Sequence, residues 1–116
     1  MNGQQGGPQV PEITATELKQ GLDRGDRVVL VDVREAFEKD IADLPEVGQR
    51  RIPVGEVLER VGELDPADRI VLYCRSGSRS GWATQQLQER GFTDVWNLKG
   101  GVLAWREQVD PSLRAY

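Results

Sequence analysis

Arg69-Ile70-Val71-Leu72-Tyr73-Cys74-Arg75-Ser76-Gly77-Ser78-Arg79-Ser80-Gly81 runs from an apolar segment, through a single thiol, into a small polar turn. Residues 69–73 are short, rich in β-branched side chains and almost continuously apolar, the pattern of a strand covered on both faces. Ser80 to Arg90 is helix-like and closes with Gly91 directly after a terminal Arg, the usual charge and cap order of a helix C-terminus. A strand that reaches a helix over so short a connection must curl tightly, and Cys74 lies at the start of the curl.

Working outward, Arg27-Val28-Val29-Leu30-Val31-Asp32-Val33 repeats the strand signal. It is too continuously apolar for a sheet with one wet face, so it predicts a buried parallel strand with Asp32 near its C-terminal end. Upstream, Thr14-Ala15-Thr16-Glu17 has the form of a capping box and predicts a helix start. Leu18 and Leu22 give that helix one apolar face, and Gly25-Asp26 offers its stop. Downstream, residues 94–98 read as a last strand, and Gly100-Gly101 turns into a helix over 102–109. Between the two strong strands, the sequence suggests a short helix over 35–41, a turn at 44–48 and a brief strand around 51–54. Val57, Leu58, Val61 and Leu64 then recur at helical spacing until Asp65-Pro66. Strands alternating with helices, without internal repeats, predict an α/β domain whose mostly parallel sheet lies between helix layers. Functional groups gather beyond the carboxyl ends of such strands. Asp32-Val33-Arg34 and Cys74-Arg75 both fall there.

Composition narrows the chemistry. A chain of 116 residues, 38% hydrophobic and 29% charged, matches one soluble globular domain. Residues 1–11 hold three Gly, two Pro and no charged side chain, and are expected to be a flexible leader before a domain over 12–108 and a tail over 109–116. The chain has no His, which excludes Ser-His-Asp and Cys-His catalysis, and its one Cys forms no internal disulfide. No metal and no cofactor are expected, because the usual nitrogen and sulfur ligands are missing. A lone thiol suits a reducing compartment, the first residues lack the basic and apolar regions of a signal peptide, and the cytoplasm is the expected location. Apolar runs are too short for a membrane-spanning helix, so no membrane partner is expected. The net charge of −4 argues against nucleic acid. Between Arg69 and Glu89 the only charged side chains are Arg75 and Arg79, which leaves −6 on the rest and points to a local anion site.

The turn itself is suggestive. Gly77 permits positive φ, and the small Ser residues let successive backbone N–H groups converge at a helix N-terminus, forming an anion-binding nest. A Cys74 thiolate inside it would be stabilised by those dipoles and by the two Arg, and the same donors could hold a persulfide or an oxyanion. The competing reading makes Cys74 a small buried hydrophobe and Arg75 and Arg79 ordinary surface charges. Trp82, Trp96 and Trp105 are read as core or rim packing.

Three segments in this order, Val29 to Glu35, Ile70 to Ser80 and Asn97 to Trp105, resemble the rhodanese family of sulfurtransferases over about residues 12–108. The resemblance implies a five-stranded, mostly parallel sheet flanked by helices on both faces. It implies Cys74 as the catalytic nucleophile, carrying sulfane sulfur as a persulfide, with Arg75, Ser76, Gly77, Ser78 and Arg79 as the substrate-binding cradle. Asp32 and Arg34 match a segment that supports the site, with a salt bridge as their expected role. Many members have His-Ile-Pro-Gly where this chain has Asp43-Leu44-Pro45-Glu46, so the conformation of the 43–51 loop is open. Trp105, Val109-Asp110-Pro111 and Tyr116 resemble the end of rhodanese domains fused to adenylyltransferases, which load sulfur onto ubiquitin-like carriers for molybdopterin or thiamin synthesis. The implied partners are a thiosulfate or protein-persulfide donor, a ubiquitin-like sulfur carrier and an adenylyltransferase. Two alternatives stand beside this: a noncatalytic binding module, and a cysteine phosphatase or arsenate reductase. The second is disfavoured because Cys74 to Arg79 encloses four residues where the phosphatase signature encloses five.

Overall fold

In the computed structural model, which describes residues 10–116, the two apolar runs are adjacent parallel strands of one sheet. β1 (Glu12–Ile13) and β3 (Arg50–Arg51) are its edges; β2 (Val29–Asp32), β4 (Ile70–Tyr73) and β5 (Val95–Leu98) lie between them. The order is β1-β5-β4-β2-β3, and every pairing is parallel. In β2 and β4 the register sets Val31 beside Leu72 and Asp32 beside Tyr73, so both strands reach their carboxyl ends together. The sheet therefore has the five parallel strands that the resemblance implied.

Alternation along the strands divides the core. Val31, Val33, Ile70 and Leu72 pack with Ala83 and Leu87 of α2 (Ser78–Glu89), together with Val57 and Leu64. Leu30, Val71, Tyr73 and Leu98 face the other way, against Leu18 of α1 (Ala15–Arg24) and Val102 and Trp105 of α3 (Gly101–Gln108). Because both faces are covered, β2 and β4 carry no polar alternation, which explains their continuous apolar runs. Thr14 and Glu17 form the anticipated capping box, and α1 ends at Gly25 in the left-handed region, φ +82°. Among the described residues, no helix is long and apolar enough to cross a membrane.

Several expectations shift. Pro11, the last residue of the expected leader, accepts the Asn97 N–H at 2.8 Å, beside a strand β1 that the sequence did not suggest. The rest of the expected leader, up to residue 9, lies outside the described residues. No α-helix forms over the expected 57–64: a 3-10 turn, Val54–Glu56, precedes the span and a second, Val61–Glu63, lies within it, with Val57 and Leu64 buried and Leu58 exposed. Gly55 and Gly62 sit inside those turns, and glycine disfavours propagation of an α-helix. The short helix over 35–41 is a 3-10 helix, Ala36–Asp40. Of the tryptophans, Trp105 is core, Trp96 is half-buried and Trp82 is exposed. Residues of the tail join the core, since Val109, Leu113 and Tyr116 pack against the layer formed by α1 and α3.

Candidate functional site

Cys74 follows the last residue of β4, and its sulfur is enclosed by the turn that leads into α2. Gly77 adopts φ +105° and serves as the N-cap of α2, which starts at Ser78, two residues earlier than the sequence suggests. That conformation aims the Gly77 N–H at Cys74 Sγ, 3.1 Å away; Ser80 N lies at 3.4 Å and Ser80 Oγ at 3.3 Å. Burial pushes the thiol up, while hydrogen bonds from Ser80, Gly77 and Ser76 pull it down by more, leaving it below its ordinary value. The turn thus gathers the Gly77 and Ser80 N–H groups on the sulfur, and Ser80, fully buried, is a donor that the sequence reading assigned only to the helix.

The first turn of α3 closes the cradle from behind. Val102 N donates to the Cys74 carbonyl at 2.9 Å, and Leu103 N to the Arg75 carbonyl at 3.1 Å. Gly101 permits this approach: a Cβ there would lie 2.6 Å from the Arg75 carbonyl oxygen and nearer still to that of Cys74. The Gly100-Gly101 pair is therefore a close backbone contact as well as a turn. Asn97 of β5 completes the enclosure, its Nδ2 donating to the Gly77 carbonyl at 3.1 Å and its Oδ1 accepting from Ser80 Oγ at 2.6 Å.

Neither arginine of the cradle stands alone, although no acid lies near them in sequence. Arg79 makes two hydrogen bonds to the buried Glu38 carboxylate, at 2.8 and 3.0 Å. Arg79 holds that carboxyl down at about 2, aided by the Glu35 N–H and the Tyr116 hydroxyl. Arg75 is exposed; its guanidinium lies 5.3 Å over the Tyr116 ring, and its Nε donates to the Tyr116 carbonyl. The two loop charges read from the sequence as an open anion site are thus partnered, one by Glu38 and one by the tail. Ser76 and Ser78 are exposed at the mouth.

Asp32 and Arg34 form a bidentate pair at the end of β2, at 2.9 and 3.0 Å, with both side chains buried. This agrees with the expected salt bridge and extends it. Arg34 also reaches Asp43, the Ala42 carbonyl and the Tyr116 hydroxyl, while Arg51 bridges Asp32, Asp43 and Glu46. The loop over 43–51 is fixed by this network: Asp43 accepts from the Tyr73 hydroxyl at 2.7 Å, and Gln49 donates to that hydroxyl at 3.2 Å. Burial works against the Arg34 charge, yet its acceptors hold its pKa above the ordinary value. The network brackets the cradle from the β2 side, with Tyr116 joining the two through Arg34 and Glu38.

Comparison with protein families matches residues 14–108 to the rhodanese-like domain. The chain belongs to the rhodanese-like family. This rhodanese domain is 39% identical over 97 residues to a protein of Allochromatium vinosum named "Sulfurtransferase", covering 83% of the chain and 88% of that protein. It is 38% identical over 110 residues to "Probable adenylyltransferase/sulfurtransferase MoeZ" of Mycobacterium tuberculosis, covering 90% of the chain but only 26% of MoeZ. The chain therefore spans about a quarter of that larger protein. Among solved structures, a rhodanese-related protein of Thermoplasma volcanium superposes with a TM-score of 0.76 at 26% identity, covering 87% of this chain and 95% of that one. These relatives support sulfurtransferase activity in general.

Proposed function

We propose that Cys74 is the nucleophile and sulfur carrier of a rhodanese-type sulfurtransferase. The observation that carries this reading is a lone, buried sulfur facing the Gly77 and Ser80 N–H groups and the Ser80 hydroxyl, a set of donors that stabilises negative sulfur. In the first half-reaction the Cys74 thiolate attacks the outer sulfur of thiosulfate. The sulfur–sulfur bond breaks, sulfite leaves with its electron pair, and Cys74 is left as a persulfide anion. A protein persulfide reacts equivalently and leaves as a thiolate. In the second half-reaction a thiophilic nucleophile takes the outer sulfur and regenerates the Cys74 thiolate.

Arg75, exposed and held by the tail, is the cradle cation that can turn toward an incoming oxyanion, with the N–H groups of Ser76, Gly77 and Ser78 as its companions. Arg79 stays with Glu38 and lends its charge from one side. Asp32 and Arg34 support the loop through the buried network. The MoeZ similarity and the Val109 to Tyr116 tail favour a ubiquitin-like carrier as acceptor. The persulfide would attack the adenylated carrier terminus, displacing AMP, and a thiol reductant would then split the acyl disulfide to free a thiocarboxylate.

Treatment with thiosulfate should add one sulfur atom to the intact mass, removable by dithiothreitol, and Cys74→Ser should abolish both the adduct and thiocyanate formation while keeping the fold. No adduct on the unaltered protein, from thiosulfate or from a low-molecular-weight persulfide, would leave a noncatalytic binding module. Hydrolysis of an aryl phosphate without thiocyanate formation would favour a phosphatase. For the carrier assignment, persulfidated protein is mixed with a carrier, its adenylyltransferase, ATP and a thiol reductant. A carrier that gains no sulfur while thiosulfate and cyanide turn over leaves only a general sulfurtransferase.

A further inference from the structure

The Asn97 side chain is nine-tenths or more buried and lies directly behind the cradle, yet the transfer chemistry gives it no task. Its orientation is fixed by its neighbours. Nδ2 donates to the Gly77 carbonyl at 3.1 Å and approaches Glu12 Oε2 at 3.5 Å, so Oδ1 must face Ser80. Turning the amide over would set its oxygen against the Gly77 carbonyl and the Glu12 carboxylate. The Ser80 hydroxyl therefore has two acceptors within reach, Asn97 Oδ1 at 2.6 Å and Cys74 Sγ at 3.3 Å, and only one proton. All three groups are buried, so no bulk water takes the place of a missing bond.

We infer that Asn97 is a positioning residue that sets the acidity of Cys74 by competing with it for the Ser80 proton. While Cys74 is a thiol, Ser80 donates to Asn97 and its oxygen accepts the S–H, so all three groups are satisfied. When Cys74 ionises, the hydroxyl must turn to the sulfur and abandon Oδ1, which leaves a buried acceptor unpaired. Asn97 thereby opposes ionisation and limits the fraction of thiolate at a given pH.

Other charges around the sulfur do not duplicate this role. Arg79 of α2 is tied to Glu38 of the 3-10 helix, Arg75 of the loop is turned to Tyr116, and Asp32 and Arg34 at the end of β2 are held by one another and by Asp43 and Arg51. Glu12 of β1 reaches the amide nitrogen rather than the sulfur, and the first turn of α3 carries no acidic side chain.

The experiment measures Cys74 alkylation rate against pH in four proteins: unaltered, Asn97→Leu, Ser80→Ala and the double variant. The chain's single Cys makes each profile a titration of one group. Asn97→Leu removes the competing acceptor and should move the midpoint down by about one pH unit, a tenfold change in ionisation constant. In the Ser80→Ala background, Asn97→Leu should shift nothing. An equal shift in both backgrounds, or none in either, overturns the inference, since a merely loosened cradle would act without Ser80. Should Asn97→Leu not fold, the Raman S–H band of the reduced protein decides instead. It should lie below the frequency of a free thiol and rise in Ser80→Ala. An S–H band at the free-thiol frequency in the unaltered protein would show that Ser80 does not accept the proton, and would overturn the inference. Because acidity is read without any sulfur donor, failure here leaves the proposed transfer reaction untouched, and failure of that reaction leaves this result standing.

Discussion

Glu38 changes what Arg79 means. From the sequence, Arg79 is one of two cations of a local anion site, and Arg79→Ala is expected to raise the KM for thiosulfate more than it lowers stability. In the structure, Arg79 is the partner of a carboxylate that is only 6% exposed, so removing it strands a buried charge. Arg79→Ala should therefore destabilise the fold by about 2 kcal/mol, less than a fully buried pair because the Arg79 side chain is a third exposed. Urea unfolding measures this, and an unchanged midpoint would return Arg79 to the surface. The pH dependence follows with a definite sign. The Glu38 carboxyl sits near 2 in the folded protein, below its ordinary 4.5, so its contribution is complete above about pH 4.5 and drains away as pH falls toward 2. That contribution is on the order of 3 kcal/mol. Glu38→Gln should lower stability at neutral pH and flatten its decline through the same acid range; a decline as steep as in the unaltered protein would place the acid sensitivity elsewhere.

The legible elements are those whose instructions are local. The Thr14 capping box, the apolar runs of β2 and β4 and the Arg90-Gly91 end of α2 each announce themselves within a few residues, and the structure bears them out. β1 and β3 are two residues long, too short for any periodicity: the sequence gives no sign of β1 and sets β3 only as a brief strand around 51–54, where the structure has it at Arg50–Arg51 beside β2. Residues 57–64 carry helical spacing, but Gly62 within them and Gly55 just before let the chain settle as 3-10 turns at Val54–Glu56 and Val61–Glu63. The candidate site divides similarly. Cys74 and its turn are contiguous and readable, whereas Glu38, Asn97 and Tyr116 reach it from 36, 23 and 42 residues away, through topology that one sequence does not display. The N-terminus of α3 is the sharpest case, because the sequence reads Gly100-Gly101 only as a turn. Gly101, at φ +59°, lets the helix approach the Cys74 and Arg75 carbonyls. Gly101→Ala should cost several kcal/mol and abolish sulfur transfer, because the Cβ collides with backbone that cannot move without opening the cradle. Gly91→Ala is the control, with open space around its Cβ and a cost of only about 1 kcal/mol for its φ of +90°. Equal losses in thermal unfolding would mean that conformational strain, not close approach, is the requirement at Gly101.

The tail joins parts of the protein that the sequence keeps apart. Leu113 packs on the core while its carbonyl accepts from Arg106 Nε at 2.7 Å. Tyr116 accepts from Arg34 Nη1 at 2.9 Å, donates to Glu38 at 3.0 Å, and lies beneath the Arg75 guanidinium. One side chain thus touches the buried network, the carboxylate partner of Arg79 and the exposed arginine of the cradle. Tyr116→Phe removes only the hydroxyl; Arg34 Nη1 keeps the Ala42 carbonyl at 2.7 Å, so the loss should be about 1 kcal/mol. Tyr116→Ala also removes the half-buried ring and should cost roughly 1 kcal/mol more. The two variants should separate more clearly in kinetics. If Arg75 is the cation that meets thiosulfate, it must first leave the Tyr116 ring, and an exposed cation–π contact is worth about 0.5–1 kcal/mol. Tyr116→Ala should then lower the KM for thiosulfate by roughly two- to fivefold. Tyr116→Phe, which retains the ring, should leave that KM close to the unaltered value. A KM that rises in Tyr116→Ala would mean that the ring presents Arg75 to the donor instead of restraining it, and the tail would then be part of the binding surface.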